Sequence, residues 1–175
     1  MLEVDAVHRD DVESDRDGQS LENLFRLYYP RLVKTLCLIT LDREAAADAA
    51  QEAFLQLHLH WDRVSAYEDP VGWVYRVALN RCRDYRRRLI RLARLRDRQV
   101  SEATSGNDVS WYPEREFVEA LRELPRRRRE AAALHYIAGF SQKETAQAMG
   151  LSEGAIKSHL FRARETLEAK LEVEP

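Results

Sequence analysis

The sequence predicts an all-α protein made of two small helical domains joined by a flexible linker. Apolar residues recur every three or four positions over most of the chain, strand-like alternation is missing, and only six Gly and five Pro interrupt the 175 residues. The composition, 45% apolar and 33% charged, is that of a globular protein and excludes collagen-like and low-complexity classes. At roughly 100 to 200 residues per domain, the length leaves no room for a large catalytic barrel.

The N-terminal residues 1–19 are predicted to form a disordered acidic tail. Residues 1–24 hold eight acidic and two basic residues, a net charge of −6. A secretory signal would be basic and then apolar, and no run of about 18 uncharged apolar residues occurs, so we expect a cytoplasmic protein without membrane insertion. Cys37 and Cys82 lack metal or disulfide spacing, which predicts buried, reduced thiols and neither a metal nor another cofactor.

Two amphipathic helices follow the tail. The first runs from Leu21 to Ile39 with its apolar residues on one stripe, and Pro30 can kink it. The second begins near Asp42, which can cap it, and ends at about His60. Its polar side carries Asp48, Gln51 and Glu52.

The third predicted helix has an apolar side and an arginine-rich side. A loop from Asp62 to Asp69 leads to Pro70, which suits a first helical turn. The apolar side holds Val71, Val74, Ala78, Cys82, Tyr85, Leu89 and Leu92, and the other side holds Trp73, Arg76, Asn80, Arg83, Arg87, Arg91 and Arg94. Residues 76–98 contain ten arginines and two aspartates, a net charge of +8. These arginines must face water, an acidic segment or a polyanion. The arginine-rich segment alone is as consistent with a solvated helix face as with a nucleic-acid-binding surface.

A second domain follows a segment without helical periodicity. Small polar residues between 99 and 112 predict a linker. The second domain, residues 113–172, begins with a helix that breaks at Pro125 and resumes from Arg126 to Ala138, where Gly139 ends it.

The C-terminal part has the pattern of a helix-turn-helix. Ser141 and Glu144 have capping-box spacing, Gly150 can adopt a positive φ in the turn, and Ser152 can cap a last helix that ends near Leu171. Any corner between two helices shows parts of this pattern. The free face of the last helix nevertheless suits base edges and phosphates, with Lys157, Ser158, His159, Phe161, Arg162 and Arg164.

Together, the two domains resemble an extracytoplasmic-function sigma factor, the two-domain form of the bacterial sigma superfamily. The resemblance rests on YYPRL (28–32), DAAQEAF (48–54), DPVGWVYRVA (69–78) with Asn80, LRELP (121–125) and IKSHLFRAR (156–164). It covers about residues 20–172 and implies sigma region 2 in residues 20–98 and sigma region 4 in residues 113–172.

The resemblance implies specific contacts for region 2. Its second helix would bind the clamp helices of the RNA polymerase β′ subunit through Asp48, Gln51, Glu52 and Leu55. Its third helix would recognise and melt the minus-ten promoter element through Trp73, Arg76, Asn80, Arg83, Arg86 and Arg87. Residues 62–68 would receive a flipped base.

The resemblance also implies the contacts of region 4. Its recognition helix would read the minus-thirty-five element through Lys157, Ser158, His159, Phe161 and Arg162, and the helices before it would lie on the β-subunit flap. His159 stands where the family often has Arg. Family members are commonly inhibited by an anti-sigma factor, so one is expected here, and the free protein is expected to be a monomer.

We therefore expect an alternative sigma factor that binds core RNA polymerase and directs promoter-specific initiation. No nucleophile elbow, phosphate loop or paired-carboxylate motif occurs, which predicts a protein that is not an enzyme. Two alternatives remain open from the residues alone. One is a stand-alone helix-turn-helix repressor or activator on palindromic sites, and the other is a helical adaptor that binds only proteins.

Overall fold

A computed structural model of the chain describes residues 20–95 and 115–171. All regular structure within these ranges is helical, which confirms the all-α prediction. The helices are α1 (Leu21–Thr40), α2 (Arg43–Leu59), α3 (Trp61–Val64), α4 (Pro70–Leu95), α5 (Arg115–Glu123), α6 (Arg126–Ala132), α7 (Gln142–Met149) and α8 (Glu153–Lys170), and α6 continues as a π-helical segment, Ala133–Ile137. The predicted tail and linker lie outside the described residues. We refer to residues 20–95 as module one and to residues 115–171 as module two.

Side-chain caps begin α2, α7 and α8 at the positions that the sequence predicts. Asp42 Oδ1 accepts a hydrogen bond from the Ala45 amide at 3.0 Å, and Ser152 caps α8 in the same manner. The capping box at α7 is complete, because the Ser141 hydroxyl and the Glu144 carboxylate each accept from the other residue's amide. Each cap satisfies an amide that the helix itself leaves without a partner.

Module one is a bundle of α1, α2 and α4. Small side chains let α1 and α2 approach closely: Ala46, Ala49, Ala50 and Ala53 are all buried. The larger apolar side chains fill the space between the three helices, with Leu32, Leu36 and Leu57 fully inaccessible to solvent. Ala49 and Ala50 thus belong to the packing surface between α1 and α2.

The C-terminal part of α4 extends past the body of module one. Tyr85, Leu89 and Leu92, which the period places on the core side, are 45%, 44% and 42% exposed. The prediction that these three residues are buried is wrong, because the helix, 26 residues long, outruns the α1 and α2 surfaces that bury its first half. Periodicity identifies a face of a helix but does not determine how far the partner helices reach.

Module two contains the predicted helix-turn-helix. Gly150 has φ +67° and ends α7, and α8 follows from Ser152. Ile156, Leu160, Ala163 and Leu167 bury one side of α8. The predicted helix from Arg126 to Ala138 is α-helical only as far as Ala132, and its last turn is the π-helical segment, in which the Ala138 amide bonds to the Ala133 carbonyl at 3.0 Å.

The turn glycine gives a test of the helix-turn-helix geometry. Gly150→Ala should lower the free energy of unfolding by about 1 kcal/mol, because a Cβ is disfavoured at positive φ even where nothing crowds it. Gly154→Ala, four residues on in the first turn of α8, should leave stability unchanged or raise it, because alanine favours a helix. Urea denaturation of both variants measures the difference. Equal effects would contradict the left-handed turn.

The two modules contact each other, which the linker pattern does not predict. The Tyr75 and Phe140 rings lie 4.8 Å apart between centroids, and Arg31 Nε donates to the Ile137 carbonyl at 3.2 Å. Helix α4 packs against α7, and α1 packs against α6 and the π-helical segment. In the described part of the chain, no helix has the length and apolar character needed to cross a membrane.

Candidate nucleic-acid and partner surfaces

Helix α2 presents the four residues predicted to bind a protein partner on one outward surface, here called the α2 stripe: Asp48, Gln51, Glu52 and Leu55. Their spacing of three or four residues places them on neighbouring turns. Asp48, Gln51 and Leu55 are exposed, whereas Glu52 is half-buried and accepts a hydrogen bond from Gln56 Nε2 at 3.1 Å. The α2 stripe therefore combines two carboxylates with an exposed leucine.

The α2 stripe continues for one more turn than sequence reasoning identified. Leu59 lies four residues after Leu55 and is 62% exposed. The signal was available in the sequence, because Leu59 repeats the same spacing and has no place on the buried side of α2. An exposed leucine pair beside carboxylates is typical of a protein-binding surface.

Most of the residues predicted to meet the minus-ten element lie on the accessible part of α4. Arg76, Asn80 and Arg87 are exposed. Arg87 Nη1 lies 3.3 Å from Asp84 Oδ1, but both side chains are largely exposed, so this ion pair adds little to stability and leaves Arg87 available to a phosphate. Asn80 Oδ1 accepts from Arg83 Nη1 at 3.2 Å.

Trp73 and the preceding segment lie at the N-terminal end of α4. Trp73 is half-buried, with its ring 6.4 Å from that of His60 between centroids. The segment predicted as a loop from Asp62 to Asp69 contains the short helix α3 in its first half, and residues 65–68 are exposed. Asp69 Oδ1 accepts from the Gly72 amide at 2.8 Å and caps α4.

Arg83 differs from the other predicted minus-ten residues, because it is bonded to module two. Its side chain is 16% exposed and pairs with the carboxylate of Glu130 in α6. Its Nη2 also lies 3.4 Å from the Met149 carbonyl. Sequence reasoning missed Glu130, although a single acid directly after four consecutive arginines is a visible signal.

A cluster of positive charges surrounds that buried carboxylate. The Glu130 side chain is 2% exposed, and its Oε2 lies 3.5 Å from Arg127 Nη1 and 3.9 Å from Arg126 Nη2. Burial lowers the pKa of Arg126, and the charges of Arg86, Arg127 and Arg83 lower it further, while Glu130 raises it. We refer to Glu130 with Arg83, Arg126 and Arg127 as the Glu130 cluster.

The two cysteines have the character of buried thiols. Burial raises the pKa of Cys37 to about 11 and that of Cys82 to about 12, where Glu130 adds to the effect. Thiols with such pKa values form little thiolate near neutral pH and are therefore poor nucleophiles. Both cysteines are free; Cys37 is buried as predicted, whereas Cys82 is half-buried. Within residues 20–95 and 115–171, no group of three His, Cys, Asp or Glu side chains could hold a metal ion.

Helix α8 leaves the face that was predicted to bind DNA open. Lys157, Ser158, Phe161 and Arg162 are exposed, and His159 is half-buried. Phe161 is 62% exposed, which is unusual for a large aromatic side chain. Arg164 is bonded to Glu168 at 2.6 Å along the same helix. A phenyl ring flanked by a lysine and an arginine suits thymine methyl groups and phosphates.

Comparisons with known families match both modules. The family described as sigma-70 region 2 matches residues 24–92, and the family described as sigma-70 region 4 matches residues 114–167. The chain is 30% identical over 154 residues to the ECF RNA polymerase sigma factor SigM of Mycobacterium tuberculosis, covering 86% of this chain and 76% of that protein. It is 29% identical over 156 residues to the ECF sigma factor SigM of Bacillus subtilis, covering 86% and 94%.

A solved structure has the same fold. The sigma factor RpoE of Bartonella quintana, crystallised with the anti-sigma factor NepR, superimposes with a TM-score of 0.77. It is 23% identical, and the match covers 88% of this chain and 98% of that one. At this identity the likeness concerns the arrangement of helices.

Proposed function

Because this chain belongs to the extracytoplasmic-function family of RNA polymerase sigma factors, and so is an alternative sigma factor that directs transcription, we propose a division of labour between its modules. Module one binds the β′ clamp helices of core polymerase with the α2 stripe and opens the minus-ten element with α4. Module two reads the minus-thirty-five element as duplex through α8 and lies on the β flap. The protein carries out no chemistry itself. It acts in the cytoplasm, because core polymerase and promoter DNA are located there.

The observation that carries this proposal is that the α2 stripe lies on the same module as the arginine-rich side of α4, here called the arginine face of α4. A stand-alone repressor needs a helix-turn-helix and a two-fold partner, but it has no use for a second nucleic-acid surface beside an exposed acidic and apolar stripe. A protein-binding adaptor does not explain the open phenyl ring and basic side chains of α8. An initiation factor uses all three surfaces.

An anti-sigma factor is the second proposed partner. The related RpoE was crystallised with one. The half-exposed apolar side of α4 at Tyr85, Leu89 and Leu92, together with the α2 stripe, supplies surface for such a partner.

Reconstituted transcription tests the function directly. Transcript start mapping after induced expression supplies a promoter, and a run-off assay on it should require both the protein and core polymerase. In a gel shift, the protein alone should bind the promoter duplex weakly and should bind it well once polymerase is added. Tight polymerase-independent binding to a palindromic duplex would instead establish a stand-alone regulator.

Recognition by α8 is tested with Phe161→Ala combined with Arg162→Ala. We expect run-off transcription from the mapped promoter to fall about tenfold or more, because each lost base-edge or phosphate contact costs about 1–3 kcal/mol. The free energy of unfolding should stay within about 0.5 kcal/mol, because both residues are exposed. Glu165→Ala, an exposed change on the same helix, is the control and should keep full activity. Equal activity of the double variant and the control would contradict the assigned face.

The arginine face of α4 is tested through salt dependence. Arg76→Ala combined with Arg87→Ala should make the binding of holoenzyme to a pre-opened promoter fork less dependent on salt. The slope of the logarithm of affinity against the logarithm of salt concentration should become shallower by about 0.7 for each lost phosphate contact. Fluorescence anisotropy over a salt series measures this slope. The control is Arg26→Ala on α1, where the side chain is exposed and bonds to the neighbouring Asn23 at 3.3 Å. An unchanged slope in the double variant would remove these arginines from the interface.

A further inference from the structure

The Glu130 cluster joins the modules through a single carboxylate. Arg83 comes from α4 of module one, whereas Arg126 and Arg127 belong with Glu130 to α6 of module two. Both Glu130 oxygens are used, Oε1 by Arg83 and Oε2 by the two arginines of its own helix. Glu130 is thus the neutralising group for cations from both modules.

Electrostatics make this contact dependent on Glu130. The Arg86 charge of α4 also acts on Arg126, so four guanidinium groups from the two modules lie near one another. Without the carboxylate, cations of α4 and α6 would face each other at a partly dehydrated contact and repel. With it, Arg83 is held against module two by a charge-assisted hydrogen bond, and its second bond to the Met149 carbonyl fixes its direction.

The contact covers some functional surfaces and leaves others open. Arg83 is largely buried, whereas the α2 stripe keeps Asp48, Gln51 and Leu55 exposed. On α8, Lys157, Phe161 and the rest of the DNA face outside His159 are exposed as well. While the modules are in contact, the arrangement that we call closed, Arg83 of the proposed minus-ten surface is inaccessible to DNA. The α2 stripe, which is proposed to bind polymerase, remains accessible.

We propose that Glu130 occupies Arg83 in place of a promoter phosphate and so holds the free protein closed until the modules separate. This inference rests on the proposed function, which assigns Arg83 to the minus-ten strand. Arg83 Nη2 is bonded to Glu130 and to the Met149 carbonyl, and the side chain is 16% exposed, so a promoter phosphate cannot bind Arg83 in this arrangement. Closure and promoter binding through Arg83 are mutually exclusive.

The open α2 stripe determines the order of events. Core polymerase can bind the closed protein through α2, and separation of the modules on the polymerase then frees Arg83 for the melted strand. The apparent affinity for single-stranded DNA is then the affinity of the open protein multiplied by the fraction of molecules that are open.

The test compares Glu130→Gln with Glu123→Gln in the full chain. Glutamine keeps the size of the side chain and removes the charge. Glu123 lies in the same module and pairs with Lys170 of that module at 2.5 Å, so Glu123→Gln is a matched control. Small-angle X-ray scattering of the free proteins gives the radius of gyration, and anisotropy with a fluorescent oligothymidylate gives the affinity for single-stranded DNA without polymerase.

Glu130→Gln should enlarge the radius of gyration and raise affinity for the oligonucleotide by on the order of tenfold, a usual size for coupling between two sites, whereas Glu123→Gln should change neither. An unchanged radius and affinity in Glu130→Gln would overturn the inference. If circular dichroism shows that Glu130→Gln has lost helix content, Arg83→Gln decides instead, because it removes the same contact from the side of module one. An enlarged radius of gyration in Arg83→Gln supports the inference, and an unchanged radius overturns it. Failure of the unchanged protein in run-off transcription would instead refute the proposed function.

Discussion

Charge reversal on the α2 stripe, Asp48→Arg combined with Glu52→Arg, is expected to abolish polymerase-dependent transcription and leave the fold intact. If the two carboxylates bind a complementary basic surface on the polymerase, two arginines in their place create like-charge contacts that cost several kcal/mol, or more than about a hundredfold in affinity. The fold should survive, because Asp48 is exposed and Glu52 loses only a hydrogen bond to Gln56. Arginine is also a good helix former.

Three measurements separate the interface from the fold. Pull-down with core polymerase and run-off transcription should both fail for the double variant, while thermal unfolding should remain within a few degrees of the unchanged protein. Arg43→Glu is the control: it reverses an exposed charge at the start of the same helix, five positions from Asp48 and thus on another side of it. Retained polymerase binding by the double variant would exclude α2 as the docking helix.

Features that depend on neighbouring residues in the sequence were predictable. The starts of α2, α7 and α8 follow from Asp42, Ser141 and Ser152, because a cap needs only a short polar side chain three residues before an amide. The left-handed turn at Gly150 is local in the same sense. These features require no knowledge of the rest of the fold.

Features that depend on distant parts of the chain were not predictable. Tyr85 has the period of a core residue and is nevertheless half-exposed, because burial depends on how far α1 and α2 extend. The bond from Arg83 to Glu130 joins residues 47 positions apart. It needs the packing of α4 against module two, which no periodicity in either segment specifies. The outward direction of Phe161, by contrast, followed from the buried stripe on the other side of α8.

The largest expected loss of stability comes from Leu36→Ala in the middle of α1. Leu36 is fully buried in module one, so alanine removes its packing and leaves a cavity, at a cost of about 3–5 kcal/mol. That is a large share of the roughly 5–15 kcal/mol by which folded proteins are stable. For a chain of this size, the melting temperature should fall by roughly 10 °C, at about 2–4 °C per kcal/mol.

Leu55→Ala makes the comparison with Leu36→Ala informative, because the same atoms are removed from a leucine on the α2 stripe that is 50% exposed. Its free energy of unfolding should change by less than about 0.5 kcal/mol, but its affinity for core polymerase should fall. Leu36→Ala should behave in the opposite way: folded at low temperature, it should bind polymerase like the unchanged protein, because Leu36 reaches no surface. Urea denaturation and polymerase titration of both variants test this reciprocal pattern. If Leu55→Ala lost stability and kept its polymerase affinity, the apolar part of the α2 stripe would belong to the core of module one and not to an interface.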